Sequence, residues 1–244
     1  MERLVYDRMR NLETSHWWFV GRRAILSRLI GDLPLPRDAR LLEAGCGVGG
    51  NVEMLRQFGQ LEGLEPDAPS RDYVRQRYDV SVADGRLPDG LPYGPGDFDA
   101  VFALDVVEHV EDDVAAVAAL GRLVAPGGFL ILTVPAYDWM WSAHDLLHHH
   151  KRRYTQARLE ALLVQAGLRC VKASYFNTLL FPLAALVRLA KRALRLTGED
   201  DRMPPAGLNS VMRAIFSAEA GWLRHGRLPF GLSIVGIARR EAAV

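Results

Sequence analysis

The sequence predicts an α/β fold built on a mostly parallel sheet with helices on both faces. Short apolar stretches alternate with helix-forming stretches from about residue 40 to Val134, an order typical of parallel strands joined by crossover helices. A glycine-rich turn, residues 45–50, follows the first of these strands. A chain of 244 residues with 49% apolar content is also long enough to bury the core of one such domain.

The individual elements follow from the apolar runs and from the residues that interrupt them. Residues 1 to about 30 predict a helical segment, and the prolines within residues 32–38 predict a linker. Thr155 is placed to cap a helix that runs through Ala166 and stops at Gly167. The first strand is predicted to begin at Leu41, and the others cover residues 61–65, 79–82, 98–104, 129–134, 168–174 and 232–238.

The glycine-rich turn follows a short apolar strand that ends in a carboxylate. Glycine tolerates positive φ and lets the backbone approach a ligand closely while a helix begins beneath it. Gly45, Gly47 and Gly50 also satisfy the pattern G-x-G-x-x-G, so a nicotinamide or flavin dinucleotide is one candidate ligand. Glu43 argues against that ligand, because a diphosphate about 6 Å away would cost on the order of 2 to 3 kcal/mol. The same carboxylate suits a cation such as the sulfonium of S-adenosylmethionine.

An acidic residue followed by G-x-G-x-G resembles the first motif of the class I S-adenosylmethionine-dependent methyltransferases. The resemblance covers about residues 40–135 and the last strand. It implies a Rossmann-like sheet of seven strands, mostly parallel with an antiparallel last strand. It also implies that the chain is an enzyme and that its cofactor is S-adenosyl-L-methionine.

Further residues occupy the positions where this family places its cofactor contacts. Glu65 ends the second strand about twenty residues past the first glycine, where an acidic side chain can reach the ribose hydroxyls of a nucleoside. Asp84 follows the third strand and can accept a hydrogen bond from the adenine amino group. Strand four runs into DVVEHV, which brings Asp105 to the crevice. The predicted cofactor-binding residues are Glu43, Gly45, Cys46, Gly47, Gly49, Asn51, Glu65, Pro66, Asp67, Asp84, Gly85, Leu104, Asp105 and His109.

Aromatic residues concentrate in two segments that could face the methyl acceptor. In the first, HWWF at residues 16–19, Trp18 and Arg22 share one helical face and could cover a substrate. Packing of these indoles onto the core is the alternative. The second segment, residues 136–155, follows strand five, whose carboxyl end borders the ligand crevice in such sheets. The predicted substrate-binding residues are Trp18, Arg22, Tyr137, Arg153 and Tyr154.

Four histidines within residues 144–150 leave three interpretations open. A neutral imidazole can remove the proton of a hydroxyl acceptor, and His149 and His144 are the predicted catalytic residues. The histidines could instead pack against the domain and face solvent. His144, Asp145 and His148 could also hold a metal ion, since residues four apart share a helical face, but the predicted site contains no metal.

The chain is predicted to form a single domain over residues 1–244. Its predicted parts are an N-terminal helical cap (1–38), a cofactor-binding core (39–136), an acceptor-side loop, helix and strand (137–176), a helical insertion (177–231) and a last strand with its tail (232–244). The insertion, which lies between strands six and seven, is where acceptor specificity is expected.

Residues 179–196 of this insertion predict an amphipathic helix that is too short and too charged to cross a bilayer. Its apolar face holds Leu179, Leu183, Leu186, Ala190 and Leu194, and its basic face holds Arg188, Lys191, Arg192 and Arg195. Such a helix can lie on an anionic membrane surface or pack on its own domain. Peripheral membrane contact is therefore one predicted interaction.

Composition narrows the partners and the compartment. A net charge of +1 gives no electrostatic footprint for nucleic acid, so none is expected as a partner. Cys46 and Cys170 lie far apart in the sequence, which makes a disulfide unexpected and favours a reducing cytoplasm or the inner face of its membrane. The N-terminus shows no signal-peptide pattern.

The sequence therefore predicts methyl transfer from S-adenosylmethionine to an oxygen of a small acceptor, with nitrogen and carbon as the alternative methylated atoms and with lipid-linked, isoprenoid and glycan acceptors as the candidates. The HWWF opening and the run HDLLHHHKRRYT, residues 144–155, are distantly similar to bacterial methyltransferases that methylate quinone precursors. The alternatives are an NAD(P)-dependent oxidoreductase and a non-catalytic S-adenosylmethionine-binding partner protein.

Overall fold

A computed structural model describes residues 9–194 and 203–241, and its centre is a seven-stranded sheet. The strands are β1 (Arg40–Ala44), β2 (Gln60–Leu64), β3 (Val82–Ala83), β4 (Phe98–Leu104), β5 (Val124–Pro135), β6 (Arg169–Phe176) and β7 (Ser233–Arg239). Their order is β3-β2-β1-β4-β5-β7-β6. Only β7 runs antiparallel to its neighbours, β5 and β6. The predicted sheet, with its antiparallel last strand, is confirmed.

Helices cover both faces of this sheet. They are α1 (Trp17–Gly31), α2 (Val52–Leu55), α3 (Ala68–Tyr78), α4 (Asp113–Leu123), α5 (Ala143–Leu147), α6 (Gln156–Gln165), α7 (Phe181–Ala193) and α8 (Ala206–His225). Across residues 9–194 and 203–241, none of the helices combines the length and apolar character needed to cross a membrane.

Alternating residues of the central strands divide the core into two layers. In β5, Leu130 and Leu132 face a cluster formed with α4 and α6, while Phe129 and Ile131 face a second cluster formed with α1 and α8. This two-residue period is what a strand buried on both faces requires. The sheet therefore holds the carboxyl ends of β1, β2, β4 and β5 at fixed positions along one edge.

The N-terminal segment and the insertion pack directly on each other. At their contact, a Cβ built on Gly21 of α1 would lie 2.4 Å from the Phe216 ring of α8, so glycine is what allows the two helices to approach this closely. The N-terminal helical segment predicted as one piece is interrupted, because α1 begins at Trp17 and His16 caps it through Trp18 N.

Several predicted boundaries shift for local reasons. The third strand is shorter than predicted, since Asp79 adopts a left-handed φ of 53° at the end of α3. The fifth strand is longer and extends back to Val124. The amphipathic helix begins at Phe181, two residues later than predicted, and Pro182 lies in its first turn, where proline is tolerated. The end of its predicted range, residues 195–196, lies outside the described residues.

Candidate active site

A cavity of about 1020 Å³ opens at the carboxyl ends of β1, β2, β4 and β5. One end, here called the cofactor side, consists of residues 45–51, 64–66 and 104–109. The other end, here called the acceptor side, consists of residues 136–155 together with α7. Helix α1 covers the cavity with Trp18 and Arg22. The two predicted halves of the site thus open into one space.

The glycine turn brings backbone to the cavity surface. Gly45 has a φ of +72°, and a Cβ on it would lie 2.6 Å from the Val106 side chain, so a larger residue would collide. Gly47 has a φ of +54°, and a Cβ there would meet nothing within 4 Å. Because Gly47 lines the cavity, this open space is where a ligand can approach the main chain.

Glu65 is held beside this turn by two backbone amides. One carboxylate oxygen accepts a hydrogen bond from Gly47 N at 3.0 Å, and the other accepts one from Asp67 N at 3.0 Å. The residue is buried yet lines the cavity. A carboxylate oriented in this way still has lone pairs with which to accept hydrogen bonds from ribose hydroxyls.

Glu43 lies behind the cavity wall rather than in it. Its carboxyl accepts a hydrogen bond from Asn51 Nδ2 at 2.7 Å, and its other oxygen is buried without a hydrogen-bond partner among the described residues. Burial raises the pKa of Glu43 to about 8, although the Asn51 hydrogen bond acts in the opposite direction. Glu43 itself therefore does not line the cavity, whereas Asn51, which donates to it, does.

Arg22 joins α1 to the cofactor side. Its guanidinium forms an ion pair with Asp105, lies 3.4 Å from Asn51 Oδ1, and sits 4.6 Å above the Trp18 ring. Asp105 follows β4 with a φ of +60°, which aims its carboxylate back toward the helix. The helix that covers the cavity is therefore attached to the end of a central strand.

The acceptor side is organised around one buried carboxylate, Asp145. Arg153 donates two hydrogen bonds to it, from Nε and Nη2, each at 2.8 Å. His150 Nδ1 lies 2.8 Å from the same group, and Ser142 N donates to it at 2.8 Å. Burial alone would raise the pKa of Asp145, but the hydrogen bonds from His150 and Arg153 outweigh it and lower the pKa.

The histidines of the acceptor side differ in environment. Burial, reinforced by the neighbouring imidazoles of His148 and His150, lowers the pKa of His144 to about 3. On the cofactor side, burial and the same two neighbours lower the pKa of His109 to about 3. His149 is exposed at the cavity rim with a φ of +56°.

A family profile described as a methyltransferase domain matches residues 19–173, which is more than half of the chain. The chain belongs to this methyltransferase family. It is 30% identical over 160 residues to a protein of Mycolicibacterium smegmatis named as a probable S-adenosylmethionine-dependent methyltransferase, covering 64% of this chain and 61% of that one. It is 33% identical over 122 residues to a ubiquinone biosynthesis O-methyltransferase of Methylocella silvestris, covering 44% and 48%.

Solved structures agree on the fold. A crystal structure of an S-adenosylmethionine-dependent methyltransferase from Thermotoga maritima matches with a TM-score of 0.60 and 19% identity, covering 99% of this chain and 100% of that one. The chain spans about 61% of the length of the Mycolicibacterium smegmatis relative. These matches confirm the class I resemblance and the cofactor S-adenosylmethionine, and they do not favour the oxidoreductase alternative.

Most predicted cofactor residues of this methyltransferase lie together at the cavity. Those that line it are Gly45, Cys46, Gly47, Asn51, Glu65, Pro66, Gly85, Leu104, Asp105 and His109. They fit S-adenosylmethionine, because the open face of Gly47 adjoins the buried carboxylate of Glu65, which can accept hydrogen bonds from the ribose hydroxyls.

Three other predicted cofactor residues have structural roles away from the lining that the described residues form. Gly49 packs against α3, where a Cβ on it would lie 2.7 Å from the Tyr78 ring. Asp67 caps α3 by accepting a hydrogen bond from Ser70 N at 2.9 Å. Asp84 is largely exposed and pairs with Arg71 at 2.9 Å. As placed here, their side chains serve packing, capping and a surface ion pair.

The predicted substrate residues are divided in the same way. Trp18, Arg22 and Arg153 line the cavity, but the Arg153 guanidinium is occupied by Asp145 and Ala136 O. Tyr137 stacks on Tyr175 with ring centroids 5.1 Å apart. Tyr154 is buried in the core, where its hydroxyl donates to Asp113 at 2.9 Å. The two tyrosines lie outside the cavity lining formed by the described residues.

Two groups of lining residues were not among the predicted site residues. Glu108 is fully buried and lines the cavity, and its place directly before His109 in DVVEHV was a usable signal. Leu180, Leu183 and Val187 of the α7 region also line it. The sequence left open whether the apolar face of this helix contacts a membrane or packs on its own domain, and part of that face, Leu183, borders the cavity.

Proposed function

We propose that this protein methylates an oxygen of a small acceptor that carries an apolar portion, with S-adenosylmethionine as the donor. The observation that supports this most directly is the continuity of the cavity from Gly47 and Glu65 to Leu183 and Val187. Its volume of about 1020 Å³ lies at the upper end of the range of about 300–1,000 Å³ that holds one ligand of drug size. The cavity therefore has room for a cofactor and a second molecule.

When bound, S-adenosylmethionine supplies a methyl group attached to a positively charged sulfur. In this proposal Glu65 orients the ribose and the backbone at Gly47 allows close approach of the cofactor. The Arg22–Asp105 ion pair keeps α1 over the cavity and limits the access of water. Holding two reactants in a fixed relation in this way accelerates a transfer even without a dedicated base.

An uncharged, partly apolar acceptor is favoured over an anionic one because the three basic residues in the acceptor-side loop already have carboxylate partners. Lys151 pairs with Glu111 at 3.1 Å, Arg152 with Asp113 at 2.9 Å and Arg153 with Asp145 at 2.8 Å. An anionic acceptor that bound at any of these three residues would have to displace its carboxylate. The apolar side chains of Leu183 and Val187, by contrast, have exposed area to cover.

His149 is the proposed base that accepts the proton of the acceptor hydroxyl. A useful general base has a pKa near the working pH, whereas burial lowers the pKa of His144 to about 3 and makes it a weak base. His149 also lines the cavity, but it is exposed whereas His144 is partly buried. The name of the Methylocella silvestris relative, a ubiquinone biosynthesis O-methyltransferase, supports oxygen as the methylated atom.

The proposed function can be tested without knowing the acceptor. Calorimetry with S-adenosylmethionine should show binding, and NAD should show none. The protein is then incubated with donor labelled in its methyl group and a total bacterial extract divided into chloroform-soluble and water-soluble fractions. Label in the chloroform-soluble fraction is expected. Label only in the water-soluble fraction would contradict the apolar acceptor, and donor binding without transfer to either fraction would contradict the transferase.

Replacing the base gives a more specific prediction. His149→Ala should reduce the initial rate of label transfer by about 100-fold near pH 7 and recover part of it at high pH, because hydroxide replaces a missing base. The Kd for S-adenosylmethionine should stay unchanged. His225→Ala, an exposed histidine of α8, is the matched control and should keep the full rate. A His149→Ala rate equal to that of the control would refute the assignment.

Two expectations from the sequence stay predictions. Contact of residues 179–196 with a membrane surface is consistent with the exposed Leu186 and Leu189 of α7. Such contact would bring the cavity close to an apolar acceptor dissolved in the membrane. The second expectation, a cytoplasmic location, rests on the cysteine usage. Flotation of the protein with anionic vesicles tests the first expectation.

A further inference from the structure

We propose that His144, His148 and His150 form a binding site for a divalent transition-metal ion on the acceptor side of the cavity. One ring nitrogen from each histidine lies within 4.8 Å of the other two. All three residues line the cavity and are partly buried. Ligand nitrogens of a tetrahedral zinc site lie about 3.4 Å apart, so the side chains need to close by roughly 1 Å when the ion binds.

The local backbone brings two of these imidazoles together. His144 lies in α5 and His148 is the C-cap of that helix, with its N–H donating to His144 O at 3.0 Å. Residues four apart share a helical face, and the two ring centroids are 4.1 Å apart. His150 approaches from the other side, with its ring centroid 5.9 Å from each of them.

The third imidazole is oriented as metal-binding histidines usually are. His150 Nδ1 lies 2.8 Å from Asp145 Oδ1, and Asp145 is itself fixed by Arg153. A carboxylate in this position sets the tautomer, so that Nδ1 carries the proton and Nε2 offers its lone pair to the ion. Such second partners typically strengthen metal binding by about 10- to 100-fold.

A separate observation points to a positive ligand in the same place. Glu108 is fully buried, and neither of its carboxylate oxygens has a hydrogen-bond partner among the described residues. One of these oxygens lies within 4.8 Å of ring nitrogens of His109 and His150. A buried carboxylate without partners is costly, and a cation held by His150 would offset that cost.

The donor set also indicates which cations fit. Imidazole nitrogens suit zinc, copper, iron and nickel, while magnesium and calcium prefer oxygen. Three protein ligands leave a position open, as in catalytic zinc sites. Because the three histidines line the cavity, an acceptor oxygen would take that position and would lose its proton more easily. This role rests on the proposed function, whereas ion binding itself does not.

The structure changes the ligand set considered from the sequence. Asp145 was one of three ligands considered, with His144 and His148, although no metal was predicted, and both of its oxygens are occupied by Arg153 and His150. His150 takes its place as the third ligand, and Asp145 becomes the residue that orients it.

The test is calorimetry with Zn²⁺ on the full chain after removal of metal with a chelator, in the absence of donor and acceptor. One Zn²⁺ per chain is expected, with no competition from excess Mg²⁺. His144→Ala and His148→Ala should each weaken binding by at least about 100-fold, the upper end of the loss typical even for orienting residues. His225→Ala, a histidine distant in the sequence and exposed on α8, should bind as the unmodified chain does.

The outcomes separate cleanly. Zn²⁺ binding that survives both substitutions would place the ion elsewhere and overturn the proposal, as would the absence of binding by the unmodified chain. If His148→Ala does not fold, as judged by circular dichroism, the experiment uses His148→Gln instead, because glutamine is close to histidine in size. The absorption bands of bound Co²⁺ should report a nitrogen-rich, four-coordinate site and disappear in the same variants. Because no methyl transfer is measured, failure here leaves the proposed function intact.

Discussion

The cofactor side and the acceptor side of the cavity are built in different ways. On the cofactor side the ligand-facing groups are backbone at Gly47 and the carboxylate of Glu65, each placed by the end of a parallel strand. On the acceptor side they are imidazoles carried by a long connection after β5, which Asp145 and Arg153 hold together, and apolar side chains carried by α7. The position of the cofactor-side groups therefore depends on the topology of the sheet, and the position of the acceptor-side imidazoles depends on one buried ion pair.

This difference predicts how each side fails. Sheet topology is supported by the whole core, so single substitutions on the cofactor side should change binding more than folding. A connection organised around one buried charge pair should instead lose structure when either charge is removed. The three predictions below test this contrast, beginning with the largest effect.

Asp145→Ala should destabilise the protein by about 3–5 kcal/mol, because it leaves the buried Arg153 guanidinium without its counter-charge. The side chain of Asp145 is 0% exposed. Asp84→Ala is the control, since Asp84, which follows β3, also pairs with an arginine, Arg71, but is 72% exposed. It should cost less than about 1 kcal/mol. Urea unfolding at pH 7 measures both, and equal losses would remove the contrast.

Glu43→Gln should change how stability depends on pH. Burial raises the folded-state pKa of Glu43 from 4.5 to about 8, so its contribution is fully present below pH 4.5 and is lost as pH rises toward 8. The unmodified protein should lose about 2 to 3 kcal/mol between pH 4.5 and 7 that the variant keeps. Glu53→Gln, at an exposed residue of α2, should follow the unmodified profile. Parallel profiles for all three proteins would show that Glu43 is already ionised.

Gly47→Ala should weaken the binding of S-adenosylmethionine by about 10-fold, because its Cβ would enter the space where the ligand meets the backbone. Gly90→Ala is the matched control, since Gly90 also has positive φ, +75°, and open space around it but is exposed. Both substitutions should cost about 1–2 kcal/mol of stability from left-handed backbone strain. Calorimetry should detect the affinity loss only in Gly47→Ala.

The predictions from the sequence succeeded where strand order decides position. Glu65 and Asp105 could be located because the carboxyl ends of parallel strands meet at one edge. Asp84 also follows a strand and Tyr154 lies in the long loop after β5, but the Tyr154 hydroxyl turns into the core toward Asp113 and the Asp84 carboxylate turns outward to Arg71. Periodicity places a residue on a strand end or in a loop, but the partner that captures its side chain is set by tertiary packing.

The histidine cluster shows the same limit from the other direction. Spacing along a helix paired His144 with His148, and both do share a face. The third member, His150, lies past the end of α5 and is brought in only because Asp145 holds its ring. A contact of this kind depends on a loop conformation, including the positive φ of His149, that no residue pattern in the sequence announces.

The contact of Gly21 with Phe216 has a consequence for chimaeras made between relatives. Helix α8 lies beyond the residues that match the family profile, whereas α1 lies almost wholly within them. An insertion taken from a relative and grafted onto this chain would pack against an α1 surface that fits Phe216. If the new residue displaced α1, Arg22 would move away from Asp105. Exchange of α8 should therefore succeed only when α1 of the same relative is exchanged with it.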